Sequence, residues 1–353
     1  MSVKKSFSLF VSIVAVSVVA VLFFSIDSST FDVIKNADRK LVALSGVLVA
    51  AVWCLDALKF MCLLRAAGER LSFRKTLSVV WINYFGCAIT PMQSGGGPFQ
   101  VYMLYRNGVS VGKSVAVTLI RTVQILFILA CIVPFALVTE DDFISKHFML
   151  KFFVCYVLVF ITAAVIFIVM SVIKPQPIKK LGNWIVVKFN KFGFIRSERI
   201  LRIARIVNRE IDAYSSNVKL FLSTGKAWFF VASAVAVAHL LVYMSIMPVL
   251  IIAMGYNVDF MQCFLAESLF LFLLYFVPTP GGSGAAEGGA AAVFALFVPW
   301  NLAGVMAIAW RVVSEYTGVL LGTGITLRLV GWGEVDEVLH DERARVGNDK
   351  RKD

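Results

Sequence analysis

Six apolar runs in this chain are long enough to cross a lipid bilayer as helices, and this restricts the fold more than any other feature. A helix needs about 20 apolar residues to cross the hydrocarbon core. The runs are residues 7–26, 41–64, 114–138, 148–173, 227–253 and 302–327. With 59% hydrophobic residues, the chain also has more apolar surface than one water-soluble core encloses. We therefore predict an all-α, polytopic helical membrane protein with about six full spans.

The first apolar run, Phe7 to Ile26, is either a signal peptide or a first transmembrane helix. Lys4 and Lys5 precede it, as they precede both kinds of segment. The run is long for a signal peptide, and no small-x-small cleavage site closes it before Asp27. We favour the transmembrane helix.

Two breaks rich in glycine and proline, residues 90–97 and 277–289, interrupt apolar sequence. Proline removes a backbone donor and glycine releases the chain from helical geometry, so polar groups remain that hydrocarbon cannot satisfy. At membrane depth such a break needs protein or water around it. The residues that we expect to form the turns are Pro91, Gly95, Gly96, Gly97, Pro278, Pro280, Gly281, Gly282 and Gly284.

The two breaks share a pattern, because residues 90–95 and 279–284 align without a gap at Thr, Pro, Ser and Gly. An arginine in an apolar run, Arg121 or Arg311, follows each break after about 30 residues. Turns are built from only a few residue types, so two turns can share this pattern by coincidence. We favour an internal repeat over that alternative. The arms 76–88, 98–105, 260–277 and 290–298 are short for a span. We predict two re-entrant helical hairpins.

The distribution of Lys and Arg predicts the orientation. With a cytoplasmic N-terminus, the cytoplasmic segments hold 26 of the 34 Lys and Arg, and the outer segments hold four. The C-terminus is then also cytoplasmic, the first hairpin opens to the cytoplasm and the second opens to the outside. Related hairpins in opposite orientation form an inverted-topology repeat, which many transporters use for alternating access. We expect a multi-pass protein of the bacterial inner (plasma) membrane.

The predicted organisation is a membrane domain, residues 1–330, followed by a charged cytoplasmic tail, residues 331–353. Half one is about 1–138, half two is about 227–330, and residues 174–226 form a basic cytoplasmic segment with 12 Lys or Arg and three acids. That segment is either an amphipathic surface helix or a solvated loop. The net charge of +12 indicates anionic lipid headgroups as partners and not nucleic acid.

Charged residues in or beside apolar segments are candidates for ligand binding, because a charge in hydrocarbon is costly. They are Arg121, Glu267, Glu287, Arg311 and Glu315. Arg311 and Glu315, four residues apart, suit mutual neutralisation equally well. Arg121 has no acid within one helical turn, so it needs Glu267, Glu287 or an anionic ligand.

Uncharged polar side chains complete the predicted substrate site. They are Asn83, Gln93, Ser94, Gln100, Thr279 and Ser283. Each glycine-rich tip also precedes a half-helix whose free N–H groups favour an anion. Two arginines and two helix N-termini together suit a phosphate headgroup, although each polar residue alone also suits helix packing.

Three local features have simpler explanations. Asp56 and Lys59 are spaced to meet on one helical face, and we favour a neutralising bridge over a functional pair. Pro248 predicts a kink in the span 227–253. Asp259 with Gln262 predicts a helix cap.

Signatures of catalysis, metals and cofactors are weak. The three histidines are scattered, and the six cysteines lack metal-ligand spacing. Ser110 and Lys113 have the spacing of a Ser-x-x-Lys nucleophile motif, but Ser110 on a short connection is more typical of an N-cap. We expect no catalytic residue, no metal and no cofactor.

The motifs at the two breaks resemble a known family. The matching residues are Asn83 with Thr90-Pro91-x-x-x-Gly95-Gly96-Gly97-Pro98-Phe99-Gln100, and Pro278-x-Pro280-Gly281-Gly282-x-Gly284-x-x-Glu287 followed by Arg311. They resemble the lysylphosphatidylglycerol synthase transmembrane-domain family, flippase-like integral membrane proteins, over about residues 5–330. In bifunctional members this domain is thought to move an aminoacylated phospholipid between leaflets, while a separate soluble domain makes it. We expect no such soluble domain here, so aminoacyl transfer is not carried over, and the resemblance implies translocation of an unidentified lipid.

The expected function is therefore translocation of a phospholipid or lipid-linked glycan between leaflets. Two alternatives remain open: a membrane subunit that presents lipid to an envelope-synthesis enzyme through residues 174–226, and an intramembrane lipid-modifying enzyme. The sequence does not specify the lipid, the direction of transport, a coupling ion or the oligomeric state.

Overall fold

The computed structural model describes residues 3–25, 28–91, 93–139, 225–275 and 277–329, and all regular elements in these ranges are helices. In chain order they are α1 (Val3–Ser25), α2 (Ser28–Lys35), α3 (Arg39–Ala66), α4 (Phe73–Ala88), α5 (Gly96–Arg106), α6 (Val111–Thr139), α7 (Lys226–Met244), α8 (Ile246–Ala253), α9 (Phe260–Leu274), α10 (Ala285–Phe294), α11 (Trp300–Arg311), a π-helical turn (Val312–Tyr316) and α12 (Thr317–Leu329). The predicted all-α fold is confirmed.

Five helical segments of the described residues are long and apolar enough to cross a membrane. They are Ser6–Phe23, Arg39–Ala66, Val111–Leu129, Lys226–Ala253 and Trp300–Arg328. These segments coincide with five of the six predicted spans. The sixth span, residues 148–173, lies outside the described residues, as do the tail and all but the last two residues of the basic segment 174–226.

The four helices that flank the two breaks are shorter than a bilayer is thick. α4 has 16 residues, α5 has 11, α9 has 15 and α10 has 10. At 1.5 Å per residue even the longest is about 24 Å, less than the hydrocarbon core of about 30 Å. By length alone, none of the four reaches across the hydrocarbon core as a straight helix.

The breaks are shorter than predicted. α5 begins at Gly96, so Gly96 and Gly97 belong to a helix and not to the turn. α10 begins at Ala285, five residues before the predicted arm. Within α10, Gly289 provides space for a neighbouring ring, because a Cβ there would lie 2.6 Å from Cε2 of Phe270. Close packing and an N-terminal cap therefore outweigh the low helix propensity of these glycines.

Two local predictions at helix ends are confirmed. The span that contains Pro248 is broken at Ser245, between α7 and α8. The proline ring clashes with the carbonyl four residues earlier, which places the kink there. Asp259 caps α9, because its Oδ1 accepts from the backbone N–H groups of Met261 at 2.7 Å and Gln262 at 3.3 Å.

The chain divides into two compact units. The first comprises residues 1–61, 71–109 and 232–353. In it α4 packs against α5 and α12, and α10 packs against α9 and α11, with α1 contacting α10 and α11. Gly318 of α12 lies against the ring of Tyr84 in α4, where a Cβ would come within 2.9 Å of Cγ. Small residues allow two membrane helices to approach closely in this way.

The second unit comprises residues 62–70 and 110–231, and its described part includes α6. Lys113 Nζ lies 2.7 Å from Glu69 Oε1 in a partly exposed salt bridge. The guanidinium of Arg65 lies 4.6 Å from the centroid of the Trp228 ring. Arg121 is a half-buried residue of α6 and so belongs to this unit.

Asp56 and Lys59 of α3 form the predicted bridge, with 2.7 Å between Oδ1 and Nζ, and both side chains are buried. We expect Asp56→Ala to lower the free energy of unfolding by about 3 kcal/mol or more, because it removes the counter-charge of a buried ammonium. The double variant Asp56→Leu, Lys59→Met should recover most of that loss. Thermal unfolding in detergent measures both, and a single variant as stable as the wild type would contradict a structural role.

Candidate functional site: the meeting point of two hairpin tips

The two breaks meet inside the first unit. Pro91 and Pro280 form an isolated antiparallel bridge, and the N–H of Gly281 donates to the carbonyl of Thr90 at 3.3 Å. The two prolines occupy the same position in the aligned sequence pattern. Equivalent residues of the two breaks therefore pair with each other in opposite directions.

The two tips also fold alike. Ser94 Oγ donates to the Pro91 carbonyl at 2.9 Å, and Ser283 Oγ donates to the Pro280 carbonyl at 2.5 Å. The residue two positions after the proline is left-handed in both tips, with φ of 53° at Gln93 and 69° at Gly282. Two of the predicted polar residues, Ser94 and Ser283, thus stabilise the turns by local hydrogen bonds.

The tips differ in how the next helix is capped. In the first, the N–H of Gly95 donates to Oγ1 of Thr90 at 2.7 Å. In the second, the N–H of Gly284 donates to Oε2 of Glu287 at 2.6 Å, so a carboxylate from the first turn of α10 folds back over its own N-terminus. The free N–H expected at the second tip is partly satisfied by the chain itself.

Glu287 is fully buried and holds together residues from three parts of the first unit. Its Oε1 accepts a hydrogen bond from the hydroxyl of Tyr316 and lies 3.5 Å from Nε of Arg311. Arg311 in turn reaches the tip, with its Nη2 3.5 Å from the carbonyl oxygen of Gly281. The Arg311–Glu287 ion pair, the N-terminus of α10 and the second tip therefore lie together.

A π-helical turn places Tyr316 in this cluster. The turn Val312–Tyr316 follows α11 directly, and Thr317 donates from both its N–H and its Oγ1 to the carbonyl of Val312. The Arg311 guanidinium lies 5.3 Å from the centroid of the Tyr316 ring. Glu315, four residues after Arg311, interacts with it electrostatically, as the spacing predicted. The ion pair of Arg311 is with Glu287, while Glu315 lies within electrostatic range of both.

Glu267 is a second buried carboxyl group, on a different helix from Glu287. It lies on α9 and has no exposed surface, and the indole of Trp310 lies beside its carboxyl group. The nearby indole of Trp310 packs between the rings of Tyr243 and Phe270, at centroid distances of 6.2 and 6.1 Å. Its role as a substrate contact stays a prediction.

The remaining predicted residues divide between the units. Thr279 Oγ1 donates to the Ser283 carbonyl at 2.8 Å, which is another local turn contact. Gln100 is buried on α5, and neither atom of its amide group has a hydrogen-bond partner in the described residues. Asn83, on α4, lies beside Gly96. Arg121 lies on α6 in the second unit, and its role as a substrate contact stays a prediction.

Two contributors were not predicted from the sequence. Tyr316 follows Glu315 directly, but only the π-helical turn directs it to Glu287. Thr90 accepts from Gly95 and also donates to the Gly86 carbonyl at 2.8 Å. The threonine before each proline was visible as part of the shared pattern, and this was the available signal for Thr90.

The fold and these tips define a polytopic helical membrane protein with two glycine-proline breaks that pair with each other. Residues 9–322 match the family described as lysylphosphatidylglycerol synthase TM region, and the chain belongs to this family. It is also similar to a UPF0104 membrane protein of Archaeoglobus fulgidus. The two are 28% identical over 315 residues, which cover 88% of this chain and 93% of that protein.

Proposed function

We propose that this protein moves a lipid with a phosphate-containing headgroup, either a phospholipid or a lipid-linked glycan, between the leaflets of the inner membrane. The observation that carries the proposal is the pairing of two helix-breaking tips beside the buried Arg311–Glu287 ion pair. Lipid tails cross apolar surroundings readily, whereas a charged headgroup needs polar groups along its route. The paired tips supply such groups between apolar helices.

Helix lengths and pairing support a transporter architecture. We propose that α4 with α5, and α9 with α10, are re-entrant hairpins, because each helix is shorter than the hydrocarbon core. Antiparallel pairing of equivalent residues is what a local two-fold axis through the tips produces. An axis of this kind relates the halves of inverted-topology transporters, whose sites are built from broken helices.

The orientation and partners in this proposal follow the basic residues. Both termini face the cytoplasm, together with the loop at Gly108, whereas Asn257 and Trp300 face outward. Membrane lipids with anionic headgroups are the proposed partners. We propose that the protein translocates lipid and does not modify it chemically.

Leaflet-resolved transport in reconstituted vesicles tests this function. Purified protein is incorporated into vesicles that carry a trace of phosphatidylglycerol labelled on an acyl chain, and dithionite bleaches the label exposed in the outer leaflet. We expect bleaching to proceed beyond the outer-leaflet fraction with wild-type protein and to stop at that fraction in empty vesicles. A labelled diacylglycerol glycoside without phosphate controls for leaks and nonspecific scrambling.

Two results would overturn the proposal. Bleaching no greater than in empty vesicles, for every phosphate-containing lipid tested, would exclude translocation under these conditions and favour a lipid-presenting subunit. Chemical conversion of the labelled lipid, detected by chromatography of the vesicle extract, would instead indicate an enzyme.

A further inference from the structure

We propose that Glu287 is an internal occupant of a phosphate-binding site, and that its carboxylate exchanges with the phosphate group of the transported lipid. The identity of that lipid as cargo depends on the proposed function. The site is formed by the N-terminus of α10, Arg311 and Tyr316, all in the first unit.

The groups around the Glu287 carboxylate are those that bind phosphate in proteins. A backbone N–H at a helix N-terminus lies 2.6 Å from Oε2, and a tyrosine hydroxyl and a guanidinium address Oε1. Helix N-termini and arginine bind phosphate because both carry positive charge and direct N–H donors at an anion. A carboxylate is the side chain that most closely matches phosphate in charge and acceptor oxygens. The chain therefore fills its own anion site.

The donors of Arg311 are not saturated by this carboxylate. The side chain is 3% exposed, and its Nε has no hydrogen-bond partner in the described residues. Its contacts with Glu287 Oε1 and with the Gly281 carbonyl are both 3.5 Å, whereas charge-assisted hydrogen bonds are about 2.7–2.9 Å. A buried guanidinium has five N–H donors. A phosphate group, which has more acceptor oxygens than a carboxylate, would use more of them.

Charge balance permits the exchange. Glu315 and Glu287 both lie within electrostatic range of Arg311, so this cluster contains two carboxylates for one guanidinium. When the Glu287 carboxylate moves away and a phosphate group with one negative charge binds, the net charge of the cluster is unchanged. Glu315 still lies within electrostatic range of Arg311. The same reasoning predicts that Glu287→Gln folds, because it leaves one carboxylate for one guanidinium. Glutamine also retains an oxygen that can accept from Gly284.

An internal occupant weakens the measured affinity of the ligand. The apparent affinity equals the intrinsic affinity multiplied by the fraction of time for which the site is empty. If the Glu287 carboxylate occupies the site for most of the time, removing its charge should tighten phosphate binding by about tenfold. The Glu287 carboxylate would also help to release the headgroup, because it competes for the same N–H and O–H donors. Glu287→Gln should therefore bind more tightly and transport more slowly.

Calorimetric titration in a phosphate-free maltoside detergent tests the exchange. The proteins are the wild type, Glu287→Gln and Glu315→Gln, each titrated with inorganic phosphate, short-chain phosphatidylglycerol and short-chain diacylglycerol. We expect Glu287→Gln to bind at least one phosphate-containing ligand about tenfold more tightly than the wild type. Glu315→Gln removes the same charge near the same arginine but vacates no donor at Gly284 or Tyr316, so it measures the effect of charge alone, and its gain in affinity should be smaller than that of Glu287→Gln. Diacylglycerol binding should be the same in all three.

The outcomes separate the explanations. Tighter binding of both ligands supports a site for the phosphate group itself, and tighter binding of the lipid alone supports a site that also requires the glycerol or acyl part. Unchanged or weaker binding by Glu287→Gln overturns the exchange, as does an equal gain in Glu315→Gln. If Glu287→Gln fails to fold, Glu287→Asp is used, because the shorter carboxylate cannot reach both Gly284 and Tyr316. Binding needs no transport, so a protein that binds as stated but moves no lipid overturns the proposed function alone.

Discussion

Replacing Gly281 with leucine should reduce lipid transport in reconstituted vesicles to the level of protein-free vesicles. Gly281 has φ of 63°, which an L-residue adopts only with a strain of about 1–3 kcal/mol. A Cβ there would also lie 2.8 Å from Cε2 of Phe10 and 3.2 Å from Cα of Ala88. The N–H of Gly281 pairs with the first tip and its carbonyl faces Arg311. Strain and overlap at this residue would therefore separate the tips and disturb the ion pair.

Gly288 provides the matched control, because it is a nearby glycine with open space around it. It is exposed on α10, and a Cβ there would meet no atom within 4 Å. Gly288→Ala should transport like the wild type and gain up to about 1 kcal/mol of stability, since alanine favours helix. Gly284→Leu should fall between the two. Its φ is 88°, but the nearest atom to its Cβ is Ser17 Oγ at 3.7 Å, so strain is the main cost. Full transport by Gly281→Leu would refute the proposed role of the tips.

Arg311→Lys should reduce transport by at least about tenfold while the protein remains folded. Lysine keeps the charge near Glu287, but it lacks the planar fork that lets arginine address a carboxylate and a carbonyl together. Arg311 makes these two contacts with Glu287 and Gly281. Transport in vesicles and thermal unfolding in detergent measure the two effects separately. A parallel loss of stability and transport would assign Arg311 to a structural bridge.

Removing the charge of Arg311 altogether should lower the stability of the fold as well as transport. Arg311→Met leaves the fully buried Glu287 without its ion-pair partner, and we expect a loss of about 3–5 kcal/mol in the free energy of unfolding. The double variant Arg311→Met, Glu287→Met removes the ion pair but leaves Glu315 without Arg311, so it should recover part of the lost stability and none of the transport. A double variant that is both stable and active would show that the pair serves folding only.

The spans were predictable from the sequence because they depend on local properties. A run such as residues 302–327 needs only length and apolar composition to form a membrane helix, and the structure places a helix with a π-helical turn there. The break at Ser245, three residues before Pro248, and the cap at Asp259 follow from backbone chemistry within a few residues. The two tips were found for the same reason, since glycine and proline indicate a break wherever they occur in an apolar run.

The pairings within the site were not predictable, because they depend on which helices pack together. The spacing indicated Glu315 as a partner for Arg311, and the structure adds an ion pair with Glu287 from another helix, which no spacing indicated. Tyr316 reaches Glu287 through a π-helical turn, which no pattern of residues predicted. Glu287 itself was recognised as unusual, but its return to the N–H of Gly284 requires α10 to begin at Ala285, five residues earlier than predicted.

The π-helical turn also makes the number of residues between Arg311 and α12 as important as their identity. Each residue added to or removed from an α-helix rotates everything after it by about 100°. Val312–Tyr316 contains the extra residue that directs Tyr316 toward Glu287 while α12 still packs against α4. Deleting one residue from this turn would force a choice between the tyrosine contact and that helix packing. Insertions and deletions should therefore be excluded from this segment even where its exposed side chains, such as Val312, tolerate substitution.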